Sequence, residues 1–341
     1  MAYTDIDDPS AHFQVHTFTK SSGSGSTTFG GNSDLKPDWL WTKSRSNADS
    51  HEVWDSTRGV SATMFMDNVE VEDASDGRLS SFNTDGYSWG TAGNHNAAGN
   101  MVAWAWKANG GTTSTNTDGQ ITSTVQANTT AGFSIVTFTT DGTTKTVGHG
   151  LGVKPDIVIF KSRNAAGGWL LITDVIDGSM DYNYVSGTTA FSSISYNAPT
   201  SSVFEYNDNN NNTQVAYCFA QKQGYSKFGS YTGNGNANGP FVHTGFKPAW
   251  VMVKPNAGGT NWALVDHKRS PLNEVDKWIW PDDSSAEYDG SGISLDIDFL
   301  SNGFKLRTSR TEINGNGTDY LYMAFAENPF VTSGGAPATA R

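Results

Sequence analysis

A Lys-Pro dipeptide that leads into an apolar run occurs three times in this chain. The runs begin after Pro37, Pro155 and Pro248. Internal repeats constrain a fold strongly, because each copy is one structural unit and the units must bury their faces against one another. Proline at the first residue of a strand removes no ladder hydrogen bond. Each dipeptide therefore predicts the beginning of a strand.

Three further features recur in the same order around these runs: an aromatic-Thr pair, a Trp-containing strand that ends in Asp, and an apolar strand that closes the copy. In the three copies they are Phe18-Thr19, Phe138-Thr139 and Tyr231-Thr232, then Trp54-Asp55, 169–174 and 262–266, then 102–106, 215–219 and 321–325. The distance from the Lys-Pro proline to the Asp is 18, 19 and 18 positions. These spacings support one register for all three copies.

The repeats and the composition predict an all-β protein made of three tandem, divergent β-sandwich modules that are jelly-roll-like. Charged residues are only 16% of the chain, aromatics reach 12% and there are 37 glycines, which is typical of short strands joined by tight turns. The predicted organisation is an N-terminal arm (1–12), module 1 (13–111), a Thr-, Ser-, Asn- and Gly-rich linker (112–131), module 2 (132–224), module 3 (225–330) and a C-terminal tail (331–341). Because both ends are largely polar or small, we expect contacts with other subunits to order them.

The charge balance argues against two classes of partner. Asp and Glu number 34 against 22 Lys and Arg, a net charge of −12, whereas phosphate binding needs clustered bases. Apolar runs such as residues 157–160 are too short to span a bilayer. Seven scattered histidines lack metal-ligand spacing, and Asp208 with its Asn neighbours matches no defined Ca²⁺ loop. The sequence therefore predicts no nucleic acid, no membrane insertion, no metal, no cofactor and no catalytic residue.

Two Asp–Arg pairs occupy matching positions in the outer modules. Asp55 lies three residues before Arg58, and Asp266 three residues before Arg269. They could bind a ligand as a carboxylate–guanidinium pair, or they could be ion pairs that fix a loop. The second interpretation is favoured, because the middle module carries Asp174 and Asp177 instead.

The segment between the Trp-Asp strand and the closing strand is longest in module 3. Aromatic rings beside oxygen acceptors can stack on sugars or contact a protein, and local packing of a long loop is the competing interpretation. Paired carboxylates among Asp282, Asp283 and Glu287 leave glycoside hydrolysis open, although no acid pair recurs in the other modules. We predict the contact surface on this loop, at Trp278, Trp280, Asp282, Asp283 and Tyr288.

Three stretches resemble proteins encoded by marine bacteriophages. They are residues 1–11 (MAYTDIDDPSA), residues 224–235 (GYSKFGSYTGNG), and residues 323–331 (MAFAENPFV) with the terminal 337–341 (PATAR). The resemblance extends over essentially the whole chain, and it is to a family of unknown function found in phage structural and tail-type proteins. It implies a virion component and supplies no catalytic residues.

Together with the variable loops, the resemblance predicts a virion structural protein on the particle exterior, tail-associated and involved in attachment to the host surface. Its partners would be other virion proteins, copies of itself and a host cell-surface glycan or protein. It would be made in the host cytoplasm and would reside in the virion. Two alternatives stay open: a capsid decoration or cement protein, and a glycan-degrading tail enzyme.

Overall fold

The computed structural model describes residues 3–74, 77–93, 97–208, 210–293 and 295–339. The fold is nearly all-β, as predicted. Beside the strands, the described residues contain one short helix, α1 (Thr311–Asn314), and two 3-10 helices, Pro9–Ala11 and Gly290–Ile293.

The strands fall into three consecutive regions of the chain. The first region has β1 (Phe13–Lys20), β2 (Gly25–Thr27), β3 (Trp39–Ser44), β4 (Glu52–Asp55), β5 (Met64–Phe65), β6 (Leu79–Phe82), β7 (Tyr87–Trp89) and β8 (Gly99–Trp106). The second has β9 (Ser114–Asn116), β10 (Ser123–Asn128), β11 (Phe133–Thr139), β12 (Lys145–Gly148), β13 (Ile157–Ser162), β14 (Leu170–Thr173), β15 (Asp181–Tyr184), β16 (Ser192–Ser193), β17 (Val203–Tyr206) and β18 (Thr213–Phe219). The third has β19 (Ser226–Thr232), β20 (Phe241–His243), β21 (Phe246–Pro255), β22 (Ala263–Asp266), β23 (Lys277–Trp278), β24 (Tyr288–Asp289), β25 (Ile297–Leu300), β26 (Gly303–Leu306) and β27 (Asp319–Pro329).

Each region builds one large antiparallel sheet, and the three sheets share an order of four strands. Sheet 1 runs β1-β8-β3-β4-β5, sheet 2 runs β16-β15-β14-β13-β18-β11-β10-β9, and sheet 3 runs β19-β27-β21-β22. The strands β3, β13 and β21, which contain the apolar runs after Pro37, Pro155 and Pro248, therefore take the same place, between the closing strand and the next strand along the chain. β3 and β13 begin after their prolines, whereas Pro248 lies inside β21 at a β-bulge. Each region adds a small sheet, β2-β7-β6, β12-β17 or β20-β26-β25, and β23 pairs with β24. These sheets of two or three strands do not confirm a jelly roll.

The strand registers define equivalent positions in the three sheets. In sheet 1, Trp39 pairs with Trp106 on one side and Asp55 on the other. The matching trios are Ile157, Phe219 and Thr173 in sheet 2, and Trp250, Phe325 and Asp266 in sheet 3. The equivalent of Asp55 is thus Thr173 and not Asp174, which corrects the sequence alignment and explains its spacing of 19 positions.

Residues alternate between two faces of each large sheet, and one face of all three sheets enters a shared core. Alternation with a period of two places every second side chain on the same side. The shared core contains Trp39, Trp41, Trp104 and Trp106 from sheet 1, Ile157, Ile159, Tyr217 and Phe219 from sheet 2, and Trp250, Met252, Met323 and Phe325 from sheet 3. The opposite faces pack against the small sheets in three separate cores, which include Leu40, Val158 and Val251.

Residues 112–131 do not form the predicted linker. They contain β9 and β10, and β10 pairs along β11 at one side of sheet 2. Val125 and Gln126 of β10 are buried. Thr, Ser and Asn suit a loop when they are exposed, but this segment gains a strand partner that the composition alone does not reveal.

The ends of the chain pack on the chain's own body. The Tyr3 hydroxyl donates to the Gly245 carbonyl at 2.7 Å, Thr4 Oγ1 donates to the Gln223 carbonyl at 2.8 Å, and Ile6 is buried. At the other end, the Ser333 N–H donates to Asp7 Oδ1 at 2.6 Å. The expectation that other subunits must order these segments is wrong for the described residues. Residues 1–2 and 340–341 of the predicted arm and tail lie outside them.

Candidate functional site

Trp278 is buried, so the prediction that it forms part of an exposed aromatic pair is wrong. It pairs with Tyr288 between β23 and β24 and its side chain is only 1% exposed. Its indole Nε1 donates to the Leu295 carbonyl at 2.7 Å. A buried tryptophan needs such a partner, and the ring packs in the core between sheet 3 and its small sheet.

The exposed part of the predicted contact loop is therefore smaller than expected. Trp280 is half-buried and stacks on Trp278, with 6.2 Å between ring centroids and 18° between ring planes. Tyr288 is 38% exposed, and its ring centroid lies 6.2 Å from that of Trp280. The Tyr288 ring and the outer side of Trp280 are the aromatic surface that remains.

The two predicted acids of the loop make local contacts. Asp282 Oδ1 accepts the Trp262 N–H at 2.9 Å, while Oδ2 is buried without a hydrogen-bond partner among the described residues. Burial raises the pKa of Asp282 to about 7, so this carboxyl can hold a proton near neutral pH. Asp283 Oδ1 accepts from the N–H and the hydroxyl of Ser285, both at 2.8 Å.

Glu287, the third acid considered for catalysis, holds the loop on sheet 1. Its Oε2 and Oε1 accept from Arg45 Nε and Nη2, both at 2.8 Å, and its N–H donates to the Arg45 carbonyl at 3.0 Å. The loop thus lies at a contact between two sheets. Three such contacts exist, and we call them the first seam (sheets 1 and 2), the second seam (sheets 2 and 3) and the third seam (sheets 3 and 1).

The first seam contains a buried network of charges. Arg58 Nε lies 2.5 Å from Asp55 Oδ2, and Arg58 Nη1 lies 2.9 Å from Glu72 Oε2. From sheet 2, the Tyr217 hydroxyl donates to Asp55 Oδ2 at 2.7 Å, and Arg163 binds both Glu72 oxygens at 2.9 and 2.8 Å. Planar guanidinium groups suit this bidentate pairing.

The third seam repeats this arrangement with its own residues. Arg269 Nε lies 2.6 Å from Asp266 Oδ2, and Arg269 Nη1 lies 3.4 Å from Glu287 Oε2. From sheet 1, Trp104 Nε1 donates to Asp266 Oδ2 at 3.0 Å, and Arg45 binds Glu287. The interpretation of both Asp–Arg pairs as structural ion pairs is confirmed.

In these networks, charged neighbours oppose the effect of burial on Arg58, Glu72 and Asp266. Burial alone would lower the pKa of Arg58 and raise those of Glu72 and Asp266. The nearby Asp55 raises the pKa of Arg58 instead, Arg163 and Arg58 lower that of Glu72, and Arg269 lowers that of Asp266. Each partner therefore stabilises the ionised form of the other.

The second seam has neutral residues at every one of these positions. Thr173 and Ile176 replace the Asp and the Arg, and Met323 replaces Tyr217 and Trp104. A backbone hydrogen bond identifies the remaining two positions. The Glu72 N–H donates to the Arg163 carbonyl at 2.9 Å in the first seam, and the Glu287 N–H donates to the Arg45 carbonyl in the third. In the second seam the Phe191 N–H donates to the Asn256 carbonyl at 3.1 Å, so Phe191 and Asn256 take the places of the Glu and the second Arg.

One more contact recurs across the seams. Trp169 Nε1 donates to the Phe65 carbonyl at 2.7 Å across the first seam, and Trp262 Nε1 donates to the Tyr184 carbonyl at 3.1 Å across the second. At the third seam the equivalent residue is His51, whose Nδ1 accepts from Trp41 Nε1 at 2.9 Å within sheet 1 and whose Nε2 has no hydrogen-bond partner among the described residues. These two contacts, together with the Glu287–Arg45 contact at the third seam, close a ring of three sheets.

Comparison with known proteins gives one match. A family described as "Domain of unknown function (DUF7483)" matches residues 8–329. The chain belongs to the DUF7483 family. The match extends through all three sheets. No curated protein and no solved structure matches this chain.

This DUF7483 protein also has three equivalent buried lysines, Lys43, Lys161 and Lys254, each at the end of a Lys-Pro strand. Burial lowers the pKa of each ammonium group to about 8. Lys254 Nζ donates to the Thr260 carbonyl at 2.6 Å, Lys43 Nζ to the Asn47 carbonyl at 3.1 Å, and Lys161 Nζ to the Gly167 carbonyl. They fix the loop that follows each strand. The recurrent motif shows these lysines in the sequence, but not their burial.

The described part of the DUF7483 chain shows neither a cluster of metal ligands nor a membrane-spanning helix. It contains no group of three or more His, Cys, Asp and Glu side chains placed to hold a metal ion. Asp208 accepts instead from Gln214 Nε2 at 2.7 Å and from Thr140 Oγ1 at 2.8 Å, and its neighbour Asn209 lies outside the described residues. No helix in this part is both long and apolar enough to cross a membrane.

Proposed function

We propose that this DUF7483 protein is a non-enzymatic structural component on the exterior of a bacteriophage particle. The observation that carries the proposal is the ring of three sheets around one shared core, closed by buried contacts at every seam. A rigid scaffold of this kind presents loops, and loops on rigid scaffolds are where binding residues are usually placed. The assignment to a bacteriophage particle rests on the resemblance of the sequence to phage structural and tail-type proteins.

We further propose that the three sheet systems are divergent copies of one β-sandwich module. The shared strand order, the equivalent registers, the buried lysines and the repeated seam contacts support it. Each copy has a large sheet with one face in the shared core and the other against a small sheet. Equivalent residues differ mainly at the seams and in the loops, where distinct functions can be placed without changing the core.

Tail-associated attachment to the host surface is our first assignment within the particle. It rests on Tyr288 and the outer side of Trp280, which can stack on a sugar ring or contact a protein at low cost in side-chain entropy. A capsid decoration protein is the second candidate. A closed ring of three similar sheets favours it, because such a body suits a position of three-fold symmetry in a shell.

A binding assay with purified protein tests the first assignment. Labelled protein should adsorb to host cells, and Tyr288→Ala should weaken adsorption at least about fivefold, as expected for an aromatic contact worth about 1 kcal/mol. Phe241→Ala is the matched control, because Phe241 is 44% exposed elsewhere in the third region. Unchanged adsorption of the Tyr288 variant would remove this loop as the host contact. Antibody labelling of whole particles in the electron microscope then separates tail from head, and release of sugars from host glycans would favour the enzyme alternative.

A further inference from the structure

Among the described residues, no strand pairs with the outer side of β1. β1 is the last strand of sheet 1, and the Lys107 N–H donates to the His12 carbonyl at 2.9 Å. Because hydrogen-bonded pairs alternate along an antiparallel ladder, the backbone groups of Phe13, Val15 and Thr17 face away from β8. An unpaired row of N–H and C=O groups is a template for a further strand.

The same edge is occupied in sheet 2 by a strand of the chain itself. β10 pairs with β11 and places Gln126 opposite Ile135, which the registers make the equivalent of Val15. Gln126 is fully buried. Its Nε2 donates across the first seam to Ser56 Oγ at 3.0 Å and to Thr57 Oγ1 at 2.8 Å. The first seam thus has a groove that an extended segment fills, with one glutamine anchoring it.

In sheet 3 the corresponding groove is filled in a different way. Val175 and Ile176 of sheet 2 pack against the shared core there, and Ser230 Oγ of β19 donates to the Ile176 carbonyl at 3.2 Å. The loop that follows β14 therefore contacts β19 at this seam.

At β1 the groove is open. A cavity of about 330 Å³ lies between β1 and sheet 3. It is lined by Phe13, Val15, Gly30, His267, Lys268 and Glu327, among others. His267 and Lys268 follow Asp266 as Ser56 and Thr57 follow Asp55, so the cavity lies where the Gln126 side chain lies at the first seam. Lys268 is exposed. A neutral carboxamide can accept from a lysine and donate to a carboxylate at once.

We propose that this groove binds an extended segment of a partner protein, which adds a strand antiparallel to β1 and places a glutamine opposite Val15. Backbone hydrogen bonds would supply affinity and the glutamine pocket would supply specificity, as in strand addition generally. β10 is the template inside the same chain. This strand-binding site is separate from the proposed host-contact loop, and neither host attachment nor capsid decoration requires it.

A synthetic peptide with the sequence of residues 121–130 (ITSTVQANTT) is the probe. Isothermal titration with the intact protein should detect binding. Gly30→Trp should reduce affinity at least about tenfold by filling the cavity, equivalent to about 1.4 kcal/mol. A Cβ at Gly30 meets no atom within 4 Å, and the same holds at Gly167, so Gly167→Trp is the matched control that should bind normally. An unchanged melting temperature shows that both variants fold.

Two peptide controls test the mode of binding. A peptide with leucine in place of the glutamine should bind more weakly, and one N-methylated on alternate backbone nitrogens should not bind. The proposal is overturned if the parent peptide does not bind at 1 mM, a concentration that corresponds to a binding free energy of about 4.1 kcal/mol. It is also overturned if Gly30→Trp binds the peptide as tightly as the wild type does. Sedimentation tests the occupant: if the wild type self-associates and Gly30→Trp is monomeric, a second copy takes the groove and the assignment to a partner protein is overturned.

Discussion

The first and third seams bury charged networks, whereas the second seam, at equivalent positions, buries none of those charges. Asp55 with Arg58 and Asp266 with Arg269 face Tyr217 and Trp104, whose polar tips donate to the carboxylates. At the second seam the residues are Thr173, Ile176 and Met323. The residues on the two sides of each seam match each other. A hydrogen-bond donor on one sheet faces the Asp carboxylate of the other, and the apolar Met323 is found where the Asp is replaced by Thr173.

The difference shows that the seam geometry does not depend on ion pairs. The equivalent backbone contacts of Phe191, Glu72 and Glu287 form in all three seams, charged or neutral. Buried ion pairs contribute little net stability over an apolar replacement, because desolvation offsets their attraction, but removal of one partner is costly. The charged seams are therefore expected to be fragile to single substitutions and tolerant of coordinated ones.

The largest effect is expected from substitution of a buried arginine. Arg58→Met and Arg269→Met should each lower the free energy of unfolding by about 3 to 5 kcal/mol, because each leaves a buried carboxylate unpaired. Ile176→Met at the equivalent position of the second seam is the control and should cost less than about 1.5 kcal/mol. Denaturant unfolding measures all three, and equal losses would refute the distinction between seams.

The pH dependence of stability should have opposite signs for Glu72 in the first seam and for Asp282 in the loop of the third region. The pKa of Glu72 is lowered in the fold by Arg163 and Arg58 against the effect of burial, so its contribution is present above about pH 4.5 and is lost as pH falls through the lowered value. The pKa of Asp282, whose Oδ1 accepts the Trp262 N–H, is raised to about 7 by burial. Its contribution is present below about pH 4 and is lost as pH rises through 7.

Two isosteric variants separate these contributions. In the wild type, the free energy of unfolding should fall by about 1 to 3 kcal/mol between pH 4 and 7.5, the usual cost of a buried polar group without a hydrogen-bond partner. Asp282→Asn should remove this fall. Glu72→Gln should keep this fall and change the pH dependence of the free energy of unfolding only below about pH 4.5. Unfolding free energies measured from pH 3 to 8 check both, and a fall that survives in Asp282→Asn would show that another group causes it.

The sequence revealed the repeated strands but not the way they assemble. Lys-Pro starts and alternating aromatic residues identify strands and a buried face, and Trp39 and Trp41 are indeed buried. The surface that buries these two tryptophans is determined by tertiary packing. No local sequence pattern shows that three sheets share one core. The middle copy was misaligned by one residue because Asp174 lies beside the neutral position that replaces Asp55.

The candidate loop shows the same limit. Trp278 and Trp280 are two positions apart, and β23 turns Trp278 inward while Trp280 keeps an exposed side. The composition of residues 112–131 is that of a linker, although β9 and β10 extend sheet 2. Polar segments that gain a strand partner far along the chain cannot be recognised from their own residues.

The smallest effect is expected when Asp55, Arg58 and Tyr217 are converted together to their neutral equivalents. Asp55→Thr, Arg58→Ile and Tyr217→Met give three positions of the first seam the residues of the second seam. The triple variant should be within about 1.5 kcal/mol of wild type. Glu72 keeps Arg163 as its partner in this variant. A loss as large as that of Arg58→Met would show that the two seams are not interchangeable.

Calorimetry tests most directly the central claim that three sheets close around one core. If the sheets unfold together, the intact chain gives one transition whose calorimetric and van't Hoff enthalpies agree. Three independent modules would give separate transitions, or a calorimetric enthalpy about three times the van't Hoff value. We predict a single transition and a ratio near 1, and a resolved transition for any one region would contradict the shared core.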